Sequence, residues 1–216
     1  MAGIDVFDVD HTITRRSSGS RFISLAIRRG VLPYRLLAVV PWYSLTYKYG
    51  LFHLRDYAEG FPYLRGISRS TLEAIARESF ETRLRQDIYP GAVRLLEECR
   101  DAGREVVLAT SSFDIIVRPL AEHLGVDGVL ASVLEFEGER CTGRFTGTPM
   151  FRGEKRQRVL QFLRERGEDP RDCSFHSDSI YDLPLLEAVG RPVAVNPDYK
   201  LRRIARAHGW QLIDLD

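Results

Sequence analysis

Two carboxylates stand two residues apart in Val6-Phe7-Asp8-Val9-Asp10-His11-Thr12, directly after a short apolar run with β-branched residues. Side chains alternate along a strand, so Asp8 and Asp10 are expected to leave the backbone on one side, where like charges repel unless a cation lies between them. Mg²⁺ suits such a pair, because it takes carboxylate and carbonyl oxygens and keeps positions for water or a phosphate oxygen. Alone, the same residues describe a polar turn after a strand. Three further clusters lie downstream. Thr110-Ser111-Ser112 follows the apolar run 105–109 and offers hydroxyls and helix-terminal N–H groups of the kind that bind phosphate. Lys155 falls in the first turn of a predicted helix, where the macrodipole favours acids and a lysine calls for an anionic partner. Arg152, Arg156 and Arg158 crowd the same stretch, so taken by itself Lys155 reads as a surface residue. Asp178 and Asp182 follow the run 173–176, and their four-residue spacing would put both on one face of a helix.

These segments need a scaffold that gathers them. From Tyr89-Pro90-Gly91 onward, helical and strand-like periods alternate: helix to 102, strand 105–110, helix to 124, strand 129–132, helix 154–166, strand 173–176, helix 180–189, strand 192–195 and helix 199–208. A hairpin of 133–136 against 141–145, turning at Gly138, interrupts the series as an excursion from the core. Such alternation predicts an α/β fold with a doubly wound, Rossmann-like, mostly parallel sheet whose crevice lies at the carboxyl ends of the strands, where Asp8 sits. Between the first strand and this series, residues 14–86 read as helical. Periodic stretches at 17–29, 34–49 and 53–64 are followed by a helix to about residue 85 with a capping box at Ser70-Thr71-Leu72-Glu73. The predicted organisation is therefore a core of residues 1–13 and 87–216 with an α-helical cap, residues 14–86, inserted after the first strand.

At 216 residues and 44% hydrophobic content the chain can bury a real core. Cys99, Cys141 and Cys173 form no metal or redox spacing, and no charge-free run reaches the ~18 residues that spanning a bilayer requires. No basic flank and apolar segment precede the first strand, so a cytoplasmic protein with nothing cleaved off is expected. Residues 14–86 carry 13 Lys and Arg against 5 Asp and Glu, a net of +8, whereas the rest sums to −7. A basic insertion over an acidic, metal-holding body suits an anionic substrate. Nucleic acid is not an expected partner, since the positive charge is confined to the insertion and no recognition motif accompanies it. The uncharged stretch 36–47, framed by Arg28, Arg29, Arg35 and Lys48, is expected to be a buried cap helix; weak contact with an anionic membrane is the alternative. Oligomeric state is not legible.

With Asp8-Val9-Asp10-His11-Thr12, Thr110, Lys155 and Ser177-Asp178-Ser179-Ile180-Tyr181-Asp182-Leu183-Pro184 in this order, the chain resembles a haloacid dehalogenase superfamily phosphohydrolase of the phosphoserine-phosphatase-like branch, subfamily IB. The resemblance covers the whole chain and extends to the place of the helical insertion. It implies that Asp8 is the nucleophile and becomes an aspartyl phosphate, and that Asp10 serves as acid and then base. Asp8, Asp10 and Asp178 would hold Mg²⁺, with Asp10 contributing its backbone carbonyl. Thr110 and Lys155 would bind phosphoryl oxygens, Ser111 would add a backbone N–H, and Asp182 would orient Lys155 or a metal-bound water.

The implied activity is hydrolysis of a small or amphiphilic phosphate monoester. Ser17 stands where phosphoserine phosphatases carry a Glu for the substrate ammonium, Ser111-Ser112 replaces their Gly-Gly, and Arg15 and Arg16 are the candidate substrate cations, so phosphoserine is not the expected substrate. The alternatives are a phosphotransferase of the same fold, a lipid-phosphate phosphatase acting on lysophosphatidate or phosphatidylglycerophosphate, and a non-catalytic phosphate- or membrane-binding module. The last is disfavoured because a phosphoacceptor without turnover has no need of Asp10 as a proton-transfer partner.

Overall fold

The computed structural model describes residues 3–36 and 60–215. Its strands are β1 (Ile4–Phe7), β2 (Glu105–Phe113), β3 (Gly128–Ser132), β4 (Leu134–Glu137), β5 (Arg140–Phe145), β6 (Ser174–Ser177), β7 (Arg191–Val195) and β8 (Gln211–Ile213). Its α-helices are α1 (Ser18–Arg28), α2 (Arg69–Ser79), α3 (Pro90–Asp101), α4 (Asp114–Leu124), α5 (Gly153–Glu165), α6 (Leu183–Leu186) and α7 (Tyr199–His208). Six strands form one sheet in the order β3-β2-β1-β6-β7-β8, and every pairing in it is parallel. The doubly wound α/β core is thus as predicted. The order reverses beside β1, the central strand, so the loop after Phe7 opens into the crevice between the ends of β2 and β6.

Strand alternation divides the core into two layers. Ile4 and Val6 pack with Val107 and Phe175 against Val159 and Leu163 of α5, whereas Phe7 packs with Val106 and Leu108 against α3 and α4. Both faces are apolar, as a parallel sheet covered by helices requires, and each fully buried Leu, Ile or Phe contributes roughly 1.5–3 kcal/mol.

The described part of the insertion is helical: α1, a 3₁₀ turn at Pro62–Leu64, and α2, which widens into a π turn over 80–84 and then tightens into a 3₁₀ turn over 85–87. Phe22, Leu25, Leu72 and Ile75 of α1 and α2 share an apolar cluster with Phe113 and Ile116 of the core and Phe145 of β5. The hairpin β4–β5 is, as predicted, an excursion from the core sheet, and it is also fastened to residues 61–69. Phe61 N–H donates to the Gly143 carbonyl (2.7 Å), Gly66 N–H to the Cys141 carbonyl (2.8 Å) and Cys141 N–H to the Ile67 carbonyl (2.9 Å). Gly60 allows this approach: its φ is +85°, and a Cβ there would lie 2.2 Å from the Gly143 carbonyl oxygen. The two linkers run side by side, with Arg15 N–H donating to the Asp87 carbonyl (2.7 Å) and Tyr89 N–H to that of Ile13 (3.0 Å). The Arg21 guanidinium grips both Asp87 oxygens (2.6 and 2.9 Å).

Several local expectations are corrected. The N-cap of α2 is Ser68, whose hydroxyl accepts from Thr71 N–H, because Ile67 and Ser68 pair with the start of β5 and the helix begins at the next residue. Residues 180–189 form a 3₁₀ turn and the single-turn α6, so Asp178 precedes any helix and shares no helical face with Asp182. Strand β2 continues through Thr110-Ser111-Ser112 to Phe113, which moves the helix-terminal N–H groups beyond the serines. The edge strand β8 was not predicted, being only three residues long. The stretch 36–47 and the predicted helices 34–49 and 53–64 lie, apart from their ends, outside the described residues; residues 62–64 form the 3₁₀ turn. Among the described residues no helix is long and apolar enough to cross a membrane. Loss of the α2 cap in Ser68→Ala is expected to cost about 1 kcal/mol in urea unfolding, against less than about 0.5 kcal/mol for Ser70→Ala.

Candidate active site

Lys155 is 2% exposed, at the third position of α5. Its Nζ donates to Asp8 Oδ1 (2.7 Å) and Asp182 Oδ2 (2.7 Å), so one buried ammonium joins the end of β1 to the turn after β6. Asp182 Oδ2 also accepts from Ser177 Oγ (2.7 Å). Asp8 follows the last residue of β1, and its N–H donates to the His176 carbonyl of β6 (2.9 Å). The strand therefore ends before the two aspartates, and alternation does not govern them. His11 takes a φ of +67°, and Ile13 and Thr14 N–H both donate to the Val9 carbonyl, curling the loop back on itself. That turn brings buried Thr12 between Asp8 and Asp178. Its hydroxyl lies 3.5 Å from Asp8 Oδ2 and 3.4 Å from Asp178 Oδ1, and accepts from Asp178 N–H (3.0 Å).

The charges do not balance within the protein. Ionised Asp8, Asp178 and Asp182 face the one ammonium of Lys155, a net charge of −2. Burial is the main reason that the Asp8 carboxyl is pushed up to about 7; Lys155 opposes the shift, and Asp182 and Asp10 add to it. Asp178 is raised well above the ordinary carboxylate value, first by desolvation and then by the charges of Asp8 and Asp182. For Lys155, burial works against the ammonium, but Asp182 and Asp8 outweigh it and hold it above the ordinary lysine value. One divalent cation facing Asp8 and Asp178 would close the balance, and the hard oxygen donors fit such an ion. Among the described residues no three His, Cys, Asp or Glu side chains cluster as a metal site. Asp10 turns its carboxylate elsewhere, accepting from Ser17 Oγ (3.1 Å) and Ser18 N–H (2.8 Å) at the start of α1.

Thr110 is buried at 1% exposure on β2, two residues past Leu108, which pairs with Phe7, and so stands at the same edge of the sheet as Asp8. Its Oγ1 accepts from Ser112 N–H (3.1 Å), which leaves the hydroxyl proton to donate. The Ser111 carbonyl accepts from Ser132 Oγ (3.0 Å). The arginines are less central: the Arg15 guanidinium lies 4.4 Å from the centre of the Tyr89 ring at the linkers, and Arg16 lines a cavity of about 370 Å³ with Ser20, Arg21 and Ser24. Sequence reasoning passed over Thr12 and Ser177 as site residues although both lie inside the quoted motifs, and it missed the embrace of Asp10 by Ser17 and Ser18, which no spacing rule announces.

The description of haloacid dehalogenase-like hydrolases matches residues 6–187. The chain belongs to that family. A phosphoserine phosphatase of Mycobacterium tuberculosis (strain ATCC 25618 / H37Rv) is 30% identical over 213 residues, covering 96% of this chain and 69% of that protein. A histidinol-phosphatase of Neisseria meningitidis serogroup C (strain 8013) is 29% identical over 222 residues, covering 99% of each. A solved structure of a protein of unknown function from Bordetella pertussis Tohama I superposes with a TM-score of 0.86 at 32% identity, covering 98% of both chains. As a member of this hydrolase family the chain is a phosphatase, and its likeness to phosphoserine phosphatases agrees with the motifs.

A cation held by Asp8 and Asp178 would require both carboxylates ionised, and both are raised, Asp8 to about 7. Binding below that pH therefore expels a proton. Apparent affinity for Mg²⁺ is expected to rise with pH through about 7, by as much as about tenfold per unit for each proton released, and titration calorimetry in buffers of different ionisation enthalpy counts the protons directly.

Proposed function

We propose that the chain is a Mg²⁺-dependent phosphomonoesterase that works through an aspartyl phosphate on Asp8, with a small phosphate ester as substrate. The observation that carries this reading is the buried bridge from Asp8 through Lys155 to Asp182, with Asp178 and Thr110 at the same edge of the sheet. Asp8 and Asp178 side chains and the Asp10 carbonyl would hold the Mg²⁺, which when bound lowers the repulsion between an anionic nucleophile and an anionic phosphate. Lys155 fixes Asp8 Oδ1 and, with the Thr110 hydroxyl, supplies donors for the phosphoryl oxygens as charge builds on them. Asp10 protonates the departing ester oxygen and then takes a proton from the water that cleaves the acyl phosphate. Asp182 and Ser177 orient Lys155 from behind.

The insertion 14–86 is proposed to act as a cap that selects the leaving group, hinged at the paired linkers around Thr14 and Ile88. Arg16 and its cavity are the candidate cationic feature for substrate at the base of that cap. Free Cys99, Cys141 and Cys173 support a reducing, cytoplasmic setting. The relatives named for phosphoserine and histidinol phosphate place these two ammonium-bearing esters in the substrate screen. Position 17 offers no carboxylate to a substrate ammonium, which favours an ester recognised by other contacts.

Asp8→Asn is expected to lower phosphate release from p-nitrophenyl phosphate at least about 1,000-fold while leaving the thermal unfolding transition in place, and EDTA is expected to silence the wild type reversibly. Wild-type rates in Asp8→Asn would end the mechanism. A phosphate-release screen with Mg²⁺ over phosphoserine, histidinol phosphate, sugar and nucleotide monophosphates and lysophosphatidate would name the leaving group.

A further inference from the structure

The Asp10 carboxylate is held by the first turn of α1. Ser17 Oγ donates to Oδ2 (3.1 Å) while accepting from Ser20 N–H (3.3 Å), so this hydroxyl is at once the N-cap of the helix and an anchor for the carboxylate. Ser18 N–H donates to Oδ1 (2.8 Å). Helix α1 has no acid in its own first turn, and Asp10 supplies the negative charge that its N-terminus favours. The connection continues: buried Ser18 donates through Oγ to Ser112 Oγ (3.0 Å), and Ser112 N–H donates to Thr110 Oγ1 (3.1 Å). One helix terminus thus links the second aspartate of the first motif to the hydroxyl of the second.

We propose, on the phosphatase reading above, that Ser17 is a positioning residue for proton transfer by Asp10. Each Asp10 oxygen accepts one donor from α1 and keeps a second lone pair, so the anchored group can still carry the reacting proton. In the first displacement Asp8 forms a bond to phosphorus, the ester P–O bond breaks, and the Asp10 proton passes to the departing oxygen. In the second, water attacks the phosphorus of the aspartyl phosphate, the P–O bond to Asp8 breaks, and Asp10 takes the water proton. Transfer within hydrogen-bond reach tolerates little error, and displacement of about 1 Å can cost 100-fold. An α1 fixed by the cap and a carboxylate fixed by α1 make the acid's position depend on where the insertion sits.

The test separates anchoring from capping. kcat/KM reports the steps up to release of the alcohol. An alkyl leaving group such as that of glycerol 2-phosphate needs the proton, whereas p-nitrophenolate departs without it. Ser17→Ala removes the donor and the cap. Ser17→Asp keeps a good N-cap acceptor but donates nothing and sets a second carboxylate against Asp10. Ser17→Thr keeps both functions. In Ser17→Ala and Ser17→Asp, kcat/KM for glycerol 2-phosphate is expected to fall at least tenfold further than for p-nitrophenyl phosphate, and Ser17→Thr to hold the wild-type ratio of the two within about twofold. If Ser17→Ala unfolds, Ser17→Asp decides alone, with its thermal midpoint as the check on the fold. Equal losses on both esters would overturn the positioning role and leave Ser17 a helix cap. A wild type that releases phosphate from neither ester would remove the phosphatase reading, and the positioning role with it.

Discussion

The Lys155 ammonium, buried between Asp8 and Asp182, is the constraint on which the site depends. Taking an ammonium and two carboxylates out of water is costly, and such a cluster holds only when geometry and remaining hydrogen bonds are well satisfied. Both bonds are 2.7 Å, Ser177 completes Asp182, and the His176 carbonyl fixes the Asp8 backbone. The arrangement therefore demands that α5, the end of β1 and the turn after β6 meet in one place. Parallel pairing of β1 with β6 sets two of them, and packing of Val159 and Leu163 against the sheet sets the third. Its residual negative charge gives the protein a reason to hold a cation.

Beneath the reactive edge the sheet is closed to water. His176 stacks on Phe7 with ring centres 3.9 Å apart, and burial pushes its imidazole down to about 4, so it stays neutral at ordinary pH and adds no charge to the cluster above. Its Nε2 meets Ser174 Oγ, which donates to Asp5, itself paired with Arg104. A polar column thus runs through the apolar core below the site, carrying its own charge balance to the opposite edge of the sheet. The unbalanced carboxylates are confined to the top.

The insertion and core are joined on two sides. The linkers pair at Thr14 and Ile88, and the hairpin β4–β5 belongs to the core chain while its backbone bonds to residues 61–69 of the insertion. Phe61, Phe113 and Phe145 meet there, one each from insertion, β2 and hairpin, with ring centres 5.0 to 6.4 Å apart. Ser17 and Ser112 belong to one hydrogen-bonded chain: Ser17 Oγ and Ser18 N–H both hold the Asp10 carboxylate, and Ser18 Oγ donates to Ser112 Oγ. Ser17, which in the sequence read only as a lost ammonium partner, thereby helps to hold the Asp10 carboxylate.

How much was legible follows from the range of the forces involved. Alternating periods of apolar residues, Gly stops and β-branched runs are local, and they determined the α/β core and helices such as Tyr199–His208 to the residue. The motifs at Asp8, Thr110, Lys155 and Asp178 were readable because a few chemically special residues recur at strand ends. What the sequence could not show was which of several equivalent groups wins: Ser68 over Ser70 as a cap, a buried rather than a surface Lys155, and an Asp10 turned to α1 instead of standing beside Asp8. The first two were decided by distant partners, since β5 pairs with Ile67 and Ser68 and Asp8 lies 147 positions from Lys155, whereas Asp10 finds Ser17 and Ser18 only seven and eight residues on, after the turn at His11. Hydrogen bonds and buried charges choose partners in space, and only the folded chain defines that space.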